Sequence, residues 1–260
     1  MAKSRFFEEA TVVSRRDLTA GYFVLSLAAP QIAAAAEPGQ FVMCAVRRAG
    51  DPGTDPLLPR PFTFLKVEAG VLDLLVRSTG RGTSLLSQRT PGEHLSLLGP
   101  LGRGFRLPAD PAAQAVFVAG GVGVAPFLHL ASRFAKRPRP VLLYGGRTAA
   151  ELPLLEELAA AMEVKVATQD GTLGEKGLVT ALLPRELARL GRVEVYACGP
   201  EPMLAAVVAI AREVPVQASL EARMACGLGV CRGCAVPLPG GGYLEACVDG
   251  PVCDGHRLWG

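Results

Sequence analysis

Short runs of apolar residues, either continuous or alternating with polar ones, recur from residue 6 to about residue 100. The runs read EEATVVSRR, YFVLSLAA, QFVMCAV, FTFLKVEA, VLDLLVRS and HLSLLG. Turn-forming segments such as EPGQ and EAGV separate them. Short alternating runs bounded by turn residues are typical of strands, and such a series without intervening helices predicts an antiparallel β-barrel or sandwich.

The rhythm changes between residues 113 and 220. The strand-like segments there are QAVFVAGG, PVLLYGG, EVKVATQDG, VEVYACGP and VPVQASLE. They alternate with the helix-like segments APFLHLASRFAK, LPLLEELAAAM, GLVTALLPRELARL and EPMLAAVVAIAREV. Strands that alternate with amphipathic helices predict a parallel sheet with right-handed crossovers.

Both patterns stop after residue 221, where Gly, Pro and Cys dominate. A segment this short and this poor in apolar periodicity cannot build its own core, so we expect a bound inorganic centre to organise it. The predicted fold class is therefore multi-domain, β plus α/β. It comprises an antiparallel β-barrel over residues 1–105, a parallel-sheet α/β domain over 106–220 and a small C-terminal domain over 221–260.

Charge and hydropathy exclude several classes of protein. The 260 residues include 27 Lys or Arg and 24 Asp or Glu, a formal net charge of +3 with no basic block, so nucleic-acid binding is not expected. Acidic residues stand where a secretory signal would have its apolar core. The longest apolar stretch is interrupted by Gly120, Gly121, Gly123 and Pro126, which leaves it too short to span a membrane. We expect a cytoplasmic protein without membrane attachment.

The clearest chemical signal is a cysteine cluster in the C-terminal segment. Cys226, Cys231 and Cys234 follow the spacing C-x4-C-x2-C, and Cys247 comes after twelve further residues. This is the spacing of plant-type [2Fe–2S] proteins, and the interleaved glycines would let backbone N–H groups approach the sulfides. A structural zinc site and unligated thiols are the alternatives. Cys253 would stretch the last gap to eighteen residues, so we favour Cys247 as the fourth ligand.

Two glycine-containing motifs lie at strand ends of the α/β region. The segment VFVAGGVGVAPFLHLA predicts a strand, a glycine-rich turn and a helix. This geometry directs backbone N–H groups at a pyrophosphate. Tight packing of strand on helix is the alternative explanation. The segment YACGPEPM lies at the carboxyl end of a later strand, where open α/β sheets bind ligands. The candidate nucleotide-binding residues are Gly120, Gly121, Gly123, Cys198, Gly199 and Pro200.

The barrel region contains a second pair of motifs. LPRPFTFL places Arg60 and Thr63 on either side of Pro61 and Phe62. STGRGTSLLS places small and hydroxyl-bearing residues ahead of a helix-like run, with Arg77 just upstream. A cation and a glycine–hydroxyl turn at a helix start form an anion site, although each motif alone also fits an ordinary turn and cap.

The order of these motifs resembles that of the ferredoxin–NADP reductase superfamily over residues 6–220. The C-terminal MACGLGVCRGC…CVDGPV narrows the resemblance to the electron-transfer subunits of B-type dihydroorotate dehydrogenases. PGQF, GPLGRGF, YGGRT and ACGPEPM are also similar to that family, so the likeness covers nearly the whole chain.

The resemblance implies three cofactors. FAD would be bound by the barrel domain, NAD by the α/β domain and a [2Fe–2S] cluster by the C-terminal domain. The implied FAD residues are Arg60, Pro61, Phe62, Thr63, Leu75, Val76, Arg77, Gly82, Thr83 and Ser84. The implied cluster ligands are Cys226, Cys231, Cys234 and Cys247, and Cys198 would lie near the nicotinamide. NAD is favoured over NADP because no tight Arg/Lys cluster apart from Arg147 offers itself to a 2′-phosphate, and Asp170 lies near the expected nucleotide.

The resemblance also implies a partner subunit and a direction of electron transfer. The partner would be an FMN-containing catalytic subunit that oxidises dihydroorotate to orotate in pyrimidine biosynthesis, in a heterotetramer of two copies of each chain. Electrons would run from FMN through the cluster and FAD to NAD+, because a flavin converts electron pairs into single electrons. The alternatives are a related reductase subunit serving ferredoxin, sulfite or hydrogen metabolism, and a non-enzymatic zinc-stabilised module. A visible absorption spectrum separates a flavin and iron–sulfur protein from a colourless zinc module.

Overall fold

The N-terminal half forms one curled antiparallel sheet. A computed structural model describes residues 4–47 and 55–260 of the chain. The seven strands are β1 (Phe6–Asp17), β2 (Tyr22–Ala28), β3 (Phe41–Cys44), β4 (Arg60–Thr63), β5 (Lys66–Glu68), β6 (Val71–Arg77) and β7 (His94–Leu101). Their order is β4-β3-β7-β1-β2-β6-β5, and β4 approaches β6 as the sheet curls. The predicted antiparallel barrel is confirmed.

Alternation along the strands gives this sheet two apolar faces. In β2, Phe23, Leu25 and Leu27 enter the barrel core, whereas Tyr22 and Val24 enter a core shared with the α/β domain. Successive side chains of a strand point to opposite faces, so one strand serves both cores. Two short helices, α1 (Pro30–Ala35) and α2 (Arg81–Leu86), follow β2 and β6.

The second half is a parallel sheet with helices between its strands. The strands are β8 (Gln114–Gly120), β9 (Val141–Gly146), β10 (Glu163–Thr168), β11 (Glu175–Lys176), β12 (Val193–Cys198) and β13 (Val216–Ser219). The helices are α3 (Ala125–Ala131), α4 (Leu155–Ala161), α5 (Leu183–Leu190) and α6 (Glu201–Ile210). The strand order β11-β10-β9-β8-β12-β13 reverses direction at β8, so the ligand-binding crevice of such a sheet lies at the carboxyl ends of β8 and β12.

The last forty residues add little secondary structure and share the core of their neighbours. They contain β14 (Ala235–Pro237), β15 (Tyr243–Glu245), β16 (Val252–Asp254) and α7 (His256–Trp259). β14 pairs with β15, while β16 joins the large sheet antiparallel to β13. Cys234, Leu244 and Cys247 pack in one cluster with side chains from both larger domains. This sharing fits the expectation that the segment cannot form a core alone, and the boundaries 1–105, 106–220 and 221–260 remain predictions.

In the described part of the chain, no helix combines the length and the apolar character that crossing a membrane requires.

Candidate functional site

A cavity of about 400 Å³ lies between the curled sheet and the α/β domain, and we call it the barrel cavity. Six of the ten predicted FAD residues line it: Pro61, Phe62, Thr63, Leu75, Val76 and Arg77. The alternation of side chains along β6 explains the placement of Leu75. It points away from the barrel core, to which Leu74 and Val76 belong. Thr63 Oγ1 donates a 2.9 Å hydrogen bond to the Gln40 carbonyl, which fixes its side chain beside the cavity.

The other four predicted FAD residues lie together outside the wall of this cavity. Arg60 and Gly82 are neighbours, since a Cβ on Gly82 would lie 3.3 Å from Arg60 Nε. Thr83 Oγ1 accepts hydrogen bonds from the backbone N–H groups of Thr79 and Gly80 at 2.9 and 3.1 Å, so it caps α2. Ser84 Oγ lies 3.3 Å from Ser78 Oγ. The structure thus brings the two barrel motifs together, and their role in FAD binding remains a prediction.

A second cavity, of about 550 Å³, opens at the carboxyl ends of the parallel strands, and we call it the dinucleotide cavity. Three predicted nucleotide-binding residues line it: Gly120, Gly121 and Pro200. Gly123 and Cys198 line the barrel cavity instead, and Gly199 packs against Gly120. Arg77, Val122 and Glu221 line both cavities, so the two spaces meet at the carboxyl end of the sheet.

Close packing alone, without any ligand, explains why position 123 is a glycine. A Cβ on Gly123 would lie 2.6 Å from the carbonyl carbon of Cys198 and would overlap the carbonyl oxygen. The glycine turn therefore rests directly on the end of β12. The sequence left phosphate binding and tight packing as alternatives for this turn. Gly123 packs tightly, whereas Gly121 lines a cavity, and phosphate binding there remains a prediction.

Replacing Gly123 with alanine is expected to destabilise the protein. The new Cβ meets backbone atoms that cannot rotate away, and overpacking of this kind costs about 1–3 kcal/mol. For a chain of this size, that cost corresponds to a fall in the melting temperature of about 2–4 °C per kcal/mol. Gly240→Ala is the matched control, because a Cβ there has no neighbour within 4 Å among the described residues. Equal melting temperatures for the two variants would contradict the packing role.

Cys198 lies at the floor of the barrel cavity. Its side chain is 6% exposed, and burial raises the pKa of its thiol to about 12. The group is therefore a neutral thiol at physiological pH and does not act as a nucleophile. Its placement next to Val122 and Gly123 agrees with the expected position near a nicotinamide, which remains a prediction.

Sequence reasoning missed two acidic residues in these cavities. Glu221 follows the carboxyl end of β13 and lines both cavities. Desolvation of its carboxyl group raises the pKa of that group. Glu151 lies in the dinucleotide cavity and accepts hydrogen bonds from arginines of both domains. Glu221 could have been predicted from its position just after a parallel strand, because ligands bind at the carboxyl edge of such a sheet. Nothing in the local sequence indicates the partners of Glu151.

Backbone hydrogen bonds join the cysteines of the C-terminal segment in two pairs. The Cys231 N–H donates to Cys226 Sγ at 3.5 Å, and the Cys247 N–H donates to Cys234 Sγ at 3.4 Å. Within residues 4–47 and 55–260, no three His, Cys, Asp or Glu side chains are grouped to hold a metal ion. A two-iron cluster takes two protein ligands on each iron, which two pairs of thiolates provide.

Backbone donors surround these sulfurs. Cys226 Sγ accepts from the N–H groups of Leu228 and Cys231, Cys247 Sγ from Gly229, Cys231 Sγ from Gly233 and Cys234 Sγ from Cys247, at 3.2–3.5 Å. Hydrogen bonds from the Cys231 and Leu228 N–H groups lower the pKa of Cys226 to about 6. Positive φ angles at Gly227 and Gly229, +70° and +80°, allow the chain to turn its amides inward. Donors directed at thiolates fit an iron–sulfur cluster.

Cys253 is oriented differently from the four. Its thiol lies 3.9 Å from the Asp249 carbonyl and 3.8 Å from the Pro251 carbonyl, to which it donates. Burial raises its pKa to about 11. These contacts favour Cys247 as the fourth ligand, in line with the choice made from spacing.

Comparison with family models agrees with this arrangement. Residues 221–259 match the iron–sulfur cluster binding domain of dihydroorotate dehydrogenase B, and residues 117–209 match the oxidoreductase NAD-binding domain. The predicted iron–sulfur cluster and nucleotide-binding domain are confirmed, and the zinc-stabilised module is not supported.

Known proteins similar to this chain extend the comparison over its full length. A relative from Geobacillus thermodenitrificans is 41% identical over 251 residues, which cover 94% of this chain and 95% of the relative. A relative from Desulforamulus reducens is 40% identical over 239 residues, covering 88% and 89%. Both are described as the electron transfer subunit of dihydroorotate dehydrogenase B (NAD(+)).

Solved structures confirm the fold. The structure of an NADH-dependent reduced ferredoxin-NADP oxidoreductase superposes with a TM-score of 0.82 and 28% identity, covering 96% of this chain and 90% of that one. A ferredoxin NADP+ reductase from Neisseria gonorrhoeae, solved with bound FAD and NADP, gives a TM-score of 0.65 at 18% identity, over 81% and 91% of the two chains. On 40–41% identity over 94% of its residues, the chain belongs to the family of electron-transfer subunits of the NAD+-dependent dihydroorotate dehydrogenase B.

Proposed function

We propose that this chain carries electrons from an FMN-containing catalytic subunit, which oxidises dihydroorotate, through a [2Fe–2S] cluster and FAD to NAD+. The observation that carries the proposal is the spatial order of the three sites. Arg77, Val122 and Glu221 line both cavities, so the dinucleotide cavity opens onto the barrel cavity. Met224 lines the barrel cavity two residues before Cys226, so the cluster loop begins at the wall of this cavity.

When bound, the cofactors would supply the redox chemistry: the cluster carries one electron at a time, FAD collects two such electrons, and NAD+ accepts the pair as hydride. In the proposal, the barrel cavity binds the FAD ring against Pro61, Phe62 and Leu75, with Arg60 and Thr83 near its phosphates. The dinucleotide cavity binds NAD with its pyrophosphate at Gly121. Cysteines 226, 231, 234 and 247 hold the cluster.

The proposal requires no proton transfer by the side chains where the two cavities meet. Cys198, which lines the barrel cavity beside them, stays a neutral thiol because burial raises its pKa to about 12. These side chains shape the space in which nicotinamide and flavin would meet. Phe41, Leu75 and Val122 give the barrel cavity an apolar wall.

The cluster loop presents one edge to solvent. Cys234 and Cys247 are 4% and 2% exposed, whereas Cys231 is exposed. Apolar side chains stand near this edge: Val230 is 80% exposed, and the exposed Phe7 and Leu57 line a groove together with Cys226. Exposed apolar patches of this kind mark interaction surfaces. We propose that the catalytic subunit docks here, in an assembly of two copies of each chain whose mass would be measured by light scattering.

Arg60→Ala is expected to lower the FAD content of the purified chain. Loss of one charge-assisted hydrogen bond costs about 1.5–3 kcal/mol, which corresponds to tenfold or more in affinity. The measurement is flavin per chain after dilution and gel filtration, read from the absorption spectrum. Arg192→Ala is the control, since Arg192 is exposed and pairs with Asp110 away from both cavities. Full flavin retention in the Arg60 variant would count against the assignment.

A further inference from the structure

A single carboxylate joins the two large domains at the edge of the dinucleotide cavity. Glu151 Oε1 accepts a 2.7 Å hydrogen bond from Arg77 Nη2, which comes from β6 of the barrel. Arg147 Nε lies 3.1 Å from both carboxylate oxygens, and Arg147 Nη2 also donates to Oε1. Arg147 follows β9 of the parallel sheet. All three residues line the same cavity.

The carboxylate is charged at physiological pH. The Glu151 side chain is only 12% exposed, yet hydrogen bonds from Arg147 hold its pKa at about 2. The group therefore places one negative charge between two permanent positive charges. Arg77, Arg147 and Glu151 together retain a net positive charge, and they line the same cavity as the glycine turn after β8.

The two guanidinium groups keep donors that Glu151 does not use. The hydrogen bonds to the carboxylate employ Nη2 of Arg77 and Nε and Nη2 of Arg147. Nη1 of each arginine takes no part in these bonds to Glu151. An arginine held along one edge presents the other edge in a fixed direction, which is the arrangement that suits a phosphate.

Tyr22 supports the Arg77 end of this arrangement. Its side chain is 1% exposed, and its hydroxyl faces the glycine turn, since a Cβ on Gly121 would lie 3.5 Å from it. The Arg77 guanidinium lies over the Tyr22 ring, 5.2 Å from its centroid. The ring therefore stabilises the position of this guanidinium through a cation–π contact.

We propose that Glu151 is a positioning residue that holds Arg77 and Arg147 as a two-guanidinium clamp on the pyrophosphate of the bound dinucleotide. The inference rests on the proposed function, because it assumes that NAD occupies the dinucleotide cavity. It assigns to Arg77, at the boundary of both cavities, a role toward the dinucleotide.

ADP-ribose tests the clamp without any electron transfer, because it has the pyrophosphate and lacks the nicotinamide. Calorimetric titration of the FAD-loaded chain should show a Kd about tenfold higher in Glu151→Gln than in the natural protein, the factor expected for one lost charge-assisted hydrogen bond. The KM for NADH should rise similarly while kcat is retained. The KM for reduced nicotinamide riboside, which has no phosphate, should not change.

Glu157→Gln is the matched control. Glu157 forms a 2.7 Å ion pair with Arg16 across the same domain boundary but does not line the cavity. Its loss should leave the Kd for ADP-ribose unchanged. If Glu151→Gln does not fold, Arg147→Gln replaces it, because that side chain is 67% exposed; the same tenfold loss is expected.

Unchanged or tighter ADP-ribose binding in the folded Glu151 or Arg147 variant would overturn the inference. An equal loss in the Glu157 control would reduce Glu151 to a purely structural contact and would also overturn it. Failure of the proposed function looks different. In that case the natural protein itself would neither bind ADP-ribose nor transfer electrons from NADH to its flavin.

Discussion

Cys247→Ser is expected to remove the iron–sulfur cluster and to stop dihydroorotate-driven reduction of NAD+ in the assembled enzyme. Cys247 is 2% exposed, interacts with Cys234 and accepts a hydrogen bond from the Gly229 amide at 3.2 Å. Mutation of a residue that only hydrogen-bonds to a metal ligand lowers metal affinity or activity about 10–100-fold. Loss of the ligand itself should cost more than 100-fold in coupled turnover, because electrons can then reach FAD only by a path without the cluster.

Cys253→Ser is the matched control for that variant. Both thiols are buried in the same core, but Cys253 donates to the Asp249 and Pro251 carbonyls and a serine hydroxyl can do the same. Iron and sulfide analysis should give two of each per chain in Cys253→Ser and background levels in Cys247→Ser. NADH oxidation with an artificial acceptor should persist in both variants, since nicotinamide and flavin meet away from the cluster. The reverse result, with the cluster lost only from Cys253→Ser, would show that the fourth ligand is misassigned.

Local pattern was sufficient to predict most of the fold. The alternation in YFVLSLAA sends Phe23, Leu25 and Leu27 to one face and Tyr22 and Val24 to the other, as a strand between two cores requires. The glycine turn after β8 and the CGP motif after β12 lie at the end of the sheet where ligands bind. The cysteine spacing predicted the loop because ligand geometry is local along the chain.

Contacts between distant segments could not be predicted in this way. Arg77 and Glu151 are 74 residues apart and meet only because two domains pack together. β16 has three residues, too few for any periodicity, and it finds its place beside β13 through backbone pairing. Thr83 is a further example: its sequence context suits both a phosphate contact and a helix cap, and its hydroxyl serves the backbone of α2.

The isolated chain is expected to oxidise NADH but not dihydroorotate. Dihydroorotate oxidation needs a positioned base and a clamp for a small carboxylate. The barrel cavity and the dinucleotide cavity are lined instead by the predicted FAD and nucleotide-binding residues, and the Cys198 thiol in the barrel cavity is neutral. Diaphorase activity with an artificial acceptor should therefore be present without any partner.

The most direct test of the account is to measure dihydroorotate-dependent reduction of NAD+ at 340 nm with the chain alone, with its FMN-containing partner alone and with both together. The account predicts no NADH formation by either protein alone and steady formation by the mixture, abolished by Cys247→Ser and retained by Cys253→Ser. Reduction of NAD+ by dihydroorotate with this chain alone, or an active mixture containing Cys247→Ser, would contradict it.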